Sequence, residues 1–442
     1  MATRTLPRPA VPAGVAPLSR AATGSLALVG LVSAAALLAL TAAAGPSPLV
    51  STFRKMPHYF PAWLAGPLHA IGIPGSQALR IGLVVAFCAC YAAALRCAAA
   101  LSSRRLWAAI VLAHIAVALA PPLLSGDVFG YIGFARLESL HGLSPYAFTA
   151  NAAPGDAIHP LLGWTDVTTP YGPLFTLLSM AVVPLGIAGA LWTLKTLAAF
   201  ASLATVALIW RVARRLGHEP RSAAALYGLN PLVVIFAVGG AHNDTLFGVA
   251  LAAAALCVLS GRERSGGIAL AAATAVKASA ALAIPFALIG AHRPRRLALA
   301  GAVALAAALG AGVAVFGVHL LGAGAWLTQQ HQVAGHSLPS QVSKLLGLGE
   351  LALGVRVAFL GAFALALAAS LRRTWRGAPW IDGYGWATLA LLAATAWILP
   401  WYGLWALLPA SLCANRRLRL VTLGACTYLV AIEVLVAKPL LA

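Results

Sequence analysis

Residues 106–134 read LWAAIVLAHIAVALAPPLLSGDVFGYIGF, and the junction inside this stretch decides the fold. Leu106 to Leu124 holds no acid, lysine or arginine and is long enough to cross a hydrocarbon core of about 30 Å as a helix. Ser125-Gly126-Asp127-Val128-Phe129-Gly130-Tyr131 then opens a polar segment, Gly126 to Ala188, that is unsuited to lipid. A carboxylate at the mouth of a membrane helix is a place where chemistry on a lipid-linked substrate can sit.

The same pattern extends outward in both directions. Apolar runs of about 20 residues recur from Ser25 onward, each able to span as a helix. Hydrophobic residues make up 61% of the chain and charged residues 9%, with a mean hydropathy of +0.89. Ordinary soluble domains carry roughly 25% charged residues, so that class is excluded. No run alternates with period two between turns, which argues against a transmembrane barrel. The fold class is an all-α polytopic transmembrane bundle. Thirty Lys and Arg against ten Asp and Glu give a net charge of +20. In a membrane chain such residues mark cytoplasmic loops, so they are read as orientation signals and no nucleic-acid partner is expected. The six cysteines lie in apolar runs without zinc-type partners and read as small buried hydrophobes.

Residues 1–22 read as a disordered cytoplasmic tail and 23–442 as one transmembrane domain with no second domain after it. The basic clusters place the N-terminus inside, with 126–188 and 319–349 as extracytoplasmic loops. The walk predicts about eleven crossings of roughly 20 residues. Ala223 to Val238 is interrupted by Asn230-Pro231 and delivers His242-Asn243-Asp244 to the same face as Asp127. Gly267 to Gly290 has arginines beyond both ends. A single crossing would strand one cluster on the wrong side, so two short helices in a re-entrant hairpin are predicted, with Lys277 near the tip. Such a break is tolerated only inside protein or beside a water-filled cavity.

Asp127 is the leading general base; its structural alternative is a cap for an interfacial helix over Val128 to Leu140. His242, Asn243 and Asp244 either cap the following helix or line a site. Lys277 is an intramembrane lysine that needs a partner, with a phosphate or Asp244 fitting. Tyr131, Arg136 and the Thr169-Pro170-Tyr171-Gly172-Pro173 turn are further candidates for substrate contact. His114 reads as a satisfied core histidine, Lys195 as a helix-end lysine reaching water, and Glu433 as an acid near the outer end of the last helix that snorkels or pairs. Nucleotide-binding loops, hydrolase elbows, metal-ligand spacings and Asp-x-Asp pairs are missing. An activated donor would then have to arrive in another form, such as a polyprenyl phosphate sugar.

Asp127, Tyr131, Gly142, Pro145-Tyr146, Tyr171-Gly172-Pro173-Leu174, Asn230-Pro231, His242-Asn243-Asp244 and Ala275-Val276-Lys277 occur in an order that resembles the polyprenyl-phosphomannose-dependent alpha-1,6-mannosyltransferases of actinobacterial cell envelopes. The resemblance covers Leu106 to Pro285 and extends more weakly through Pro400-Trp401-Tyr402. It implies a GT-C type membrane glycosyltransferase with a polyprenyl phosphate mannose donor, a mannan or lipomannan-type glycolipid acceptor, and Asp127 as base. Some relatives have paired acids where this chain has one, and no metal or other cofactor is expected. Neighbouring arabinosyltransferases share the layout. A secondary transporter or flippase is the alternative from another class, supported by Lys277, the broken helix and the hairpin; a scaffold without chemistry is the third.

Overall fold

A computed structural model of the chain describes residues 19–50, 53, 55–322 and 332–434. The predicted tail lies outside these residues up to position 18, as do Gln329, Gln330 and His331 of the second loop and the C-terminal lysine, Lys438. The regular structure of the described residues is helical, with only two isolated β-bridges, Val50 to Leu123 and Phe53 to Met56. The all-α expectation holds.

In chain order the helices are α1 (Arg20–Ala43), α2 (Gln77–Cys97), α3 (Ser103–Ala118), α4 (Asp127–His141), α5 (Pro173–Ala181), α6 (Gly186–Arg215), α7 (Pro220–Gly228), α8 (Asp244–Leu259), α9 (Glu263–Val276), α10 (Ala283–Gly290), α11 (Pro294–Phe316), α12 (Leu338–Leu345), α13 (Leu353–Trp375), α14 (Trp380–Ala394), α15 (Gly403–Leu412) and α16 (Arg416–Ile432). Among the described residues five helical stretches are long and apolar enough to cross a membrane, and a sixth if the pair α7 and Leu232–Val238, bent by 42°, is one span. In α11 and α13 only 11% and 6% of the apolar stretch is buried in protein, against 56% in α1. Apolar helices left uncovered in this way face lipid, and the chain is a membrane protein.

The predicted crossing over Leu106 to Leu124 is shorter than hydropathy suggests. α3 stops at Ala118, because Pro121 and Pro122 cannot continue a helix and disfavour helical backbone at the residue before them. The following backbone runs along two other segments instead: the Leu123 amide donates to the Gly239 carbonyl (3.0 Å) and the Leu124 amide to that of Leu49 (2.7 Å).

The Asn230-Pro231 break falls where expected. Pro231 removes a donor, and side chains satisfy the polar groups that the break exposes. Asn230 Oδ1 accepts from the Leu232 amide (3.0 Å), Asn230 Nδ2 donates to the Tyr91 hydroxyl (3.1 Å), and that hydroxyl donates to the Leu226 carbonyl (2.9 Å). Residues Leu232–Val238 continue as a fully buried π-helix at the centre of the core.

Lys277 also falls at a break, in extended backbone between α9 and α10. Gly267, near the start of α9, packs against Leu297 and Gly301 near the start of α11; a Cβ there would meet the Leu297 carbonyl oxygen at 2.2 Å. Gly172 abuts the end of α9 while Pro173 abuts Gly312 near the end of α11. The two helices therefore run side by side in the same direction, which requires the chain between them to double back after Lys277.

His114 is the satisfied core histidine expected, with Nδ1 at 2.8 Å from the Ile110 carbonyl and Nε2 at 2.9 Å from the Ser202 hydroxyl. Lys195 corrects its reading. It is fully buried and donates to the carbonyls of Gly239 (2.7 Å) and Val117 (3.3 Å), because the last turn of α3 and the end of the π-helix close over it.

Candidate active site

Asp127 is the first residue of α4, one position ahead of the predicted helix start. It does not cap the helix with its side chain; Gly126 occupies the cap position, and the Ser125 hydroxyl accepts from the Asp127 amide at 3.2 Å. The Asp127 carboxylate is 15% exposed and lies on the wall of a cavity of about 980 Å³. Tyr131, one turn later, lines the same cavity, as do Tyr171 and Lys277. Roughly 1,000 Å³ is the upper end of the range for small-molecule sites.

Behind this wall stands His242, with no exposed surface. Its Nδ1 is 3.5 Å from Asp127 Oδ2 and 3.4 Å from the Tyr131 hydroxyl, and its ring stacks on Trp401 with centroids 3.7 Å apart at 21°. The Tyr131 hydroxyl also accepts from the Asn243 amide at 3.5 Å. Burial raises the Tyr131 phenol well above its ordinary range, and the Asp127 and Asp244 charges add to the effect, so Tyr131 stays neutral. Both segments of this cluster are entered through left-handed non-glycine residues, Leu124 (φ 59°) before Ser125 and Ala241 (φ 58°) before His242. Such backbone costs energy and persists only where surrounding contacts hold it.

Of the two partners expected for Lys277, the structure supplies Asp244. Lys277 Nζ lies 2.9 Å from both carboxylate oxygens, and Trp405 Nε1 donates to Oδ1 at 2.6 Å. Asp244 is fully buried and Lys277 13% exposed. The ammonium also sits 5.0 Å from the centre of the Tyr402 ring and 5.2 Å from that of Trp405, within cation–π range. The Gly172 amide donates to the Val276 carbonyl (3.1 Å), which joins the Tyr171 turn to the backbone beside Lys277. Glycine is required there, since a Cβ would lie 2.1 Å from the Ala275 carbonyl oxygen.

His242, Asn243 and Asp244 thus back the cavity wall, while Asp127, Tyr131, Tyr171 and Lys277 form it. Arg136 belongs to neither group: its Nε donates to Asp156 (2.9 Å), which also receives His141 Nε2 (2.7 Å) and the Ile158 amide (2.9 Å). Burial raises the Asp156 carboxyl, but the hydrogen bonds from Arg136, Ile158 and His141 outweigh it and hold the group below the usual carboxylate range.

The opposite wall was not read as a site from the sequence. It comprises residues 332–336, Gln341 and Lys344 of α12, and Trp397; Trp401, Tyr402 and Trp405 also line the cavity, but on the side of His242, Lys277 and Asp244. The Ala334 amide donates to the Ala396 carbonyl (2.8 Å), and His336 Nε2 lies 3.1 Å from that of Ile398. Trp164 from the first loop meets Trp397 edge to face at 5.8 Å, bringing the two walls together. Glu433, buried in the last helix, adds a second acid to the lining. Tryptophans and a glutamate inside apolar runs carry no periodic signal that separates cavity lining from lipid face. Among the described residues no group of three or more His, Cys, Asp or Glu side chains is gathered closely enough to hold a metal ion.

The chain matches the alpha-(1->6)-mannopyranosyltransferase N-terminal domain family over residues 27–293 and the MptB C-terminal domain over residues 332–437. It is 31% identical over 335 residues to alpha-(1->6)-mannopyranosyltransferase A of Mycobacterium tuberculosis, covering 68% of this chain and 63% of the relative. It is 31% identical over 182 residues to the protein of the same name from Corynebacterium glutamicum, covering 39% and 36%. Alpha-(1->6)-mannopyranosyltransferase B of Corynebacterium glutamicum is 24% identical over 347 residues, covering 68% and 57%. The chain therefore spans less than two thirds of the length of these curated relatives. No solved structure matches it. With a family match over more than half its length, the chain belongs to the alpha-(1->6)-mannopyranosyltransferase family.

Proposed function

We propose that this chain transfers mannose from a polyprenyl phosphate carrier to a hydroxyl of a mannan or lipomannan-type glycolipid, forming an alpha-1,6 bond with inversion at the extracytoplasmic face. The observation that carries the reading is the Asp127 carboxylate, placed on the wall of a large cavity and steadied from behind by His242. The names of the relatives support the mannosyl group and the linkage.

In the proposed step, Asp127 takes the proton of the acceptor hydroxyl as that oxygen bonds to the anomeric carbon. The bond from that carbon to the phosphate oxygen breaks on the opposite face, and its electron pair leaves with the polyprenyl phosphate. A beta-linked donor then gives an alpha-linked product. Positioned base catalysis of this kind contributes roughly 10²- to 10⁴-fold. Tyr131, Tyr171 and Lys277 are placed to contact the sugar or its phosphate. His242, Asn243 and Asp244 are buried and act through Asp127, Tyr131 and Lys277 as positioning residues. Arg136 serves by anchoring the first loop through Asp156. No metal takes part in the step.

On this reading the shorter apolar helices also cross the bilayer, giving about eleven passages with the Lys277 reversal as a re-entrant hairpin, a GT-C arrangement with the N-terminus cytoplasmic. The transporter alternative drew on Lys277, the broken helix and the hairpin alike; of these, the Lys277 charge has another reason in its ion pair with Asp244.

The experiment is transfer by the purified chain from synthetic beta-linked polyprenyl phosphate mannose to a short mannoside, with the product read by nuclear magnetic resonance. A new alpha-1,6 linkage is expected. No transfer, or a beta linkage, would overturn the reading.

A further inference from the structure

The two lysines that line the cavity differ in charge balance. Lys277 is neutralised by Asp244 through both carboxylate oxygens. Lys344 is exposed, and its described contact is a single hydrogen bond to the Gly335 carbonyl at 3.4 Å. It is the cation of the lining that has no carboxylate against it among the described residues.

Lys344 sits on a helix that is inverted relative to water-soluble ones. The buried face of α12 is Pro339, Ser340 and Ser343, whereas Leu338 and Leu345 are 46% and 84% exposed. Leu338, Val342 and Leu345 follow the i, i+4, i+7 spacing of one stripe, pointing away from the protein body. Leu346 and Leu348, 63% and 55% exposed, extend the same apolar surface. A helix that buries serines and exposes leucines has lipid as its outer solvent. Gln341 and Lys344 lie on the edge between that stripe and the buried face, and both line the cavity. An apolar rim open to the bilayer thus adjoins an uncompensated ammonium inside the site.

From this geometry we infer that Lys344 binds the phosphate of the lipid-linked donor, and that α12 is the rim over which the donor's isoprenoid chain passes from the cavity into the bilayer. The ligand is an anionic phosphate carrying an apolar chain, and both halves find their complement within two turns of one helix. Lys277, its charge already balanced, shapes the sugar end. The inference rests on the proposed transfer from a lipid phosphate and names the group that recognises that phosphate.

The test compares wild type, Lys344→Gln and Lys344→Arg in nanodiscs, using synthetic polyprenyl phosphate mannose as donor and farnesyl phosphate, farnesol and inorganic phosphate as inhibitors. A hydrogen bond to a charged group supports an expected rise in donor KM of about tenfold or more for Lys344→Gln, with kcat less affected and Lys344→Arg close to wild type. Inhibition by farnesyl phosphate should weaken by a similar factor, while inhibition by farnesol is unchanged. Inorganic phosphate competing as well as farnesyl phosphate would overturn the role of the rim. A Lys344→Gln enzyme whose donor KM and farnesyl phosphate inhibition stay within twofold of an active wild type would overturn this inference alone. A wild type that neither uses the donor nor responds to farnesyl phosphate would overturn both it and the proposed function.

Discussion

The two walls of the cavity are held in different ways. The wall carrying Asp127 and Lys277 is built from side chains that hold one another: Asp127 with His242, and Lys277 with Asp244 and Trp405. The wall carrying Lys344 is pinned mainly through backbone carbonyls, at Ala396, Ile398 and Gly335, and presents Trp397 and an ammonium with no carboxylate against it among the described residues. The first arrangement fixes geometry, as the proposed role of Asp127 as base requires. The second leaves charge available for a ligand that brings its own. The difference teaches that a charged residue in a membrane protein cannot be given a role until its partner is known, because the partner decides whether the charge is structural or open.

Removing one member of a buried pair gives the largest expected effect. Lys277→Met leaves Asp244 fully buried with Trp405 as its remaining side-chain donor, and breaking such a pair costs about 3–5 kcal/mol. The exposed Lys344→Gln should change stability by no more than about 0.5 kcal/mol. Thermal unfolding in detergent checks both, and equal shifts would erase the distinction between the walls.

A smaller effect is expected at the seam between the first loop and α9. Gly172→Ala places a methyl group against the Ala275 carbonyl, and relief by backbone movement costs about 1–3 kcal/mol. Tyr171 and Lys277 move apart in the process, so donor KM should rise together with the loss of melting temperature. A variant that folds and binds like wild type would show that this seam does not set the cavity wall.

The smallest effect concerns Asp156, whose carboxyl is held below its ordinary range by Arg136, Ile158 and His141 against the opposing pull of burial. A carboxyl depressed in the folded state stabilises above its unfolded value, about 3.9, and loses that contribution as pH falls through the folded value. Wild type should therefore melt higher than Asp156→Asn at neutral pH, with the gap closing below about pH 4. A constant gap would place the benefit in packing.

The bundle and the paired wall were largely legible in the sequence. Asp127 stood out because acids are few, α4 was predicted to within one residue at each end, and Asn230-Pro231 and Lys277 marked real breaks. These features announce themselves because proline, lysine and aspartate carry a cost in apolar surroundings. Three matters were less legible, each for its own reason. Hydropathy counted Pro121-Pro122 as part of a span, although proline geometry ends α3 before them. Lys195 was placed at water because the carbonyls of Val117 and Gly239 that enclose it come from distant segments. Arg136 was read as a candidate for substrate contact because Asp156, twenty residues on, gave no sign in sequence that it would turn back to meet it. The second wall had no such markers, since tryptophan in an apolar run looks the same whether it faces lipid, core or sugar.

The most direct measurement is the transfer rate of Asp127→Asn from synthetic polyprenyl phosphate mannose in nanodiscs, alongside its affinity for farnesyl phosphate. The account predicts kcat lower by about 10²- to 10⁴-fold with affinity nearly unchanged, because the variant keeps the shape of the site and loses only the base. Asp127→Asn turning over at the wild-type rate would contradict it.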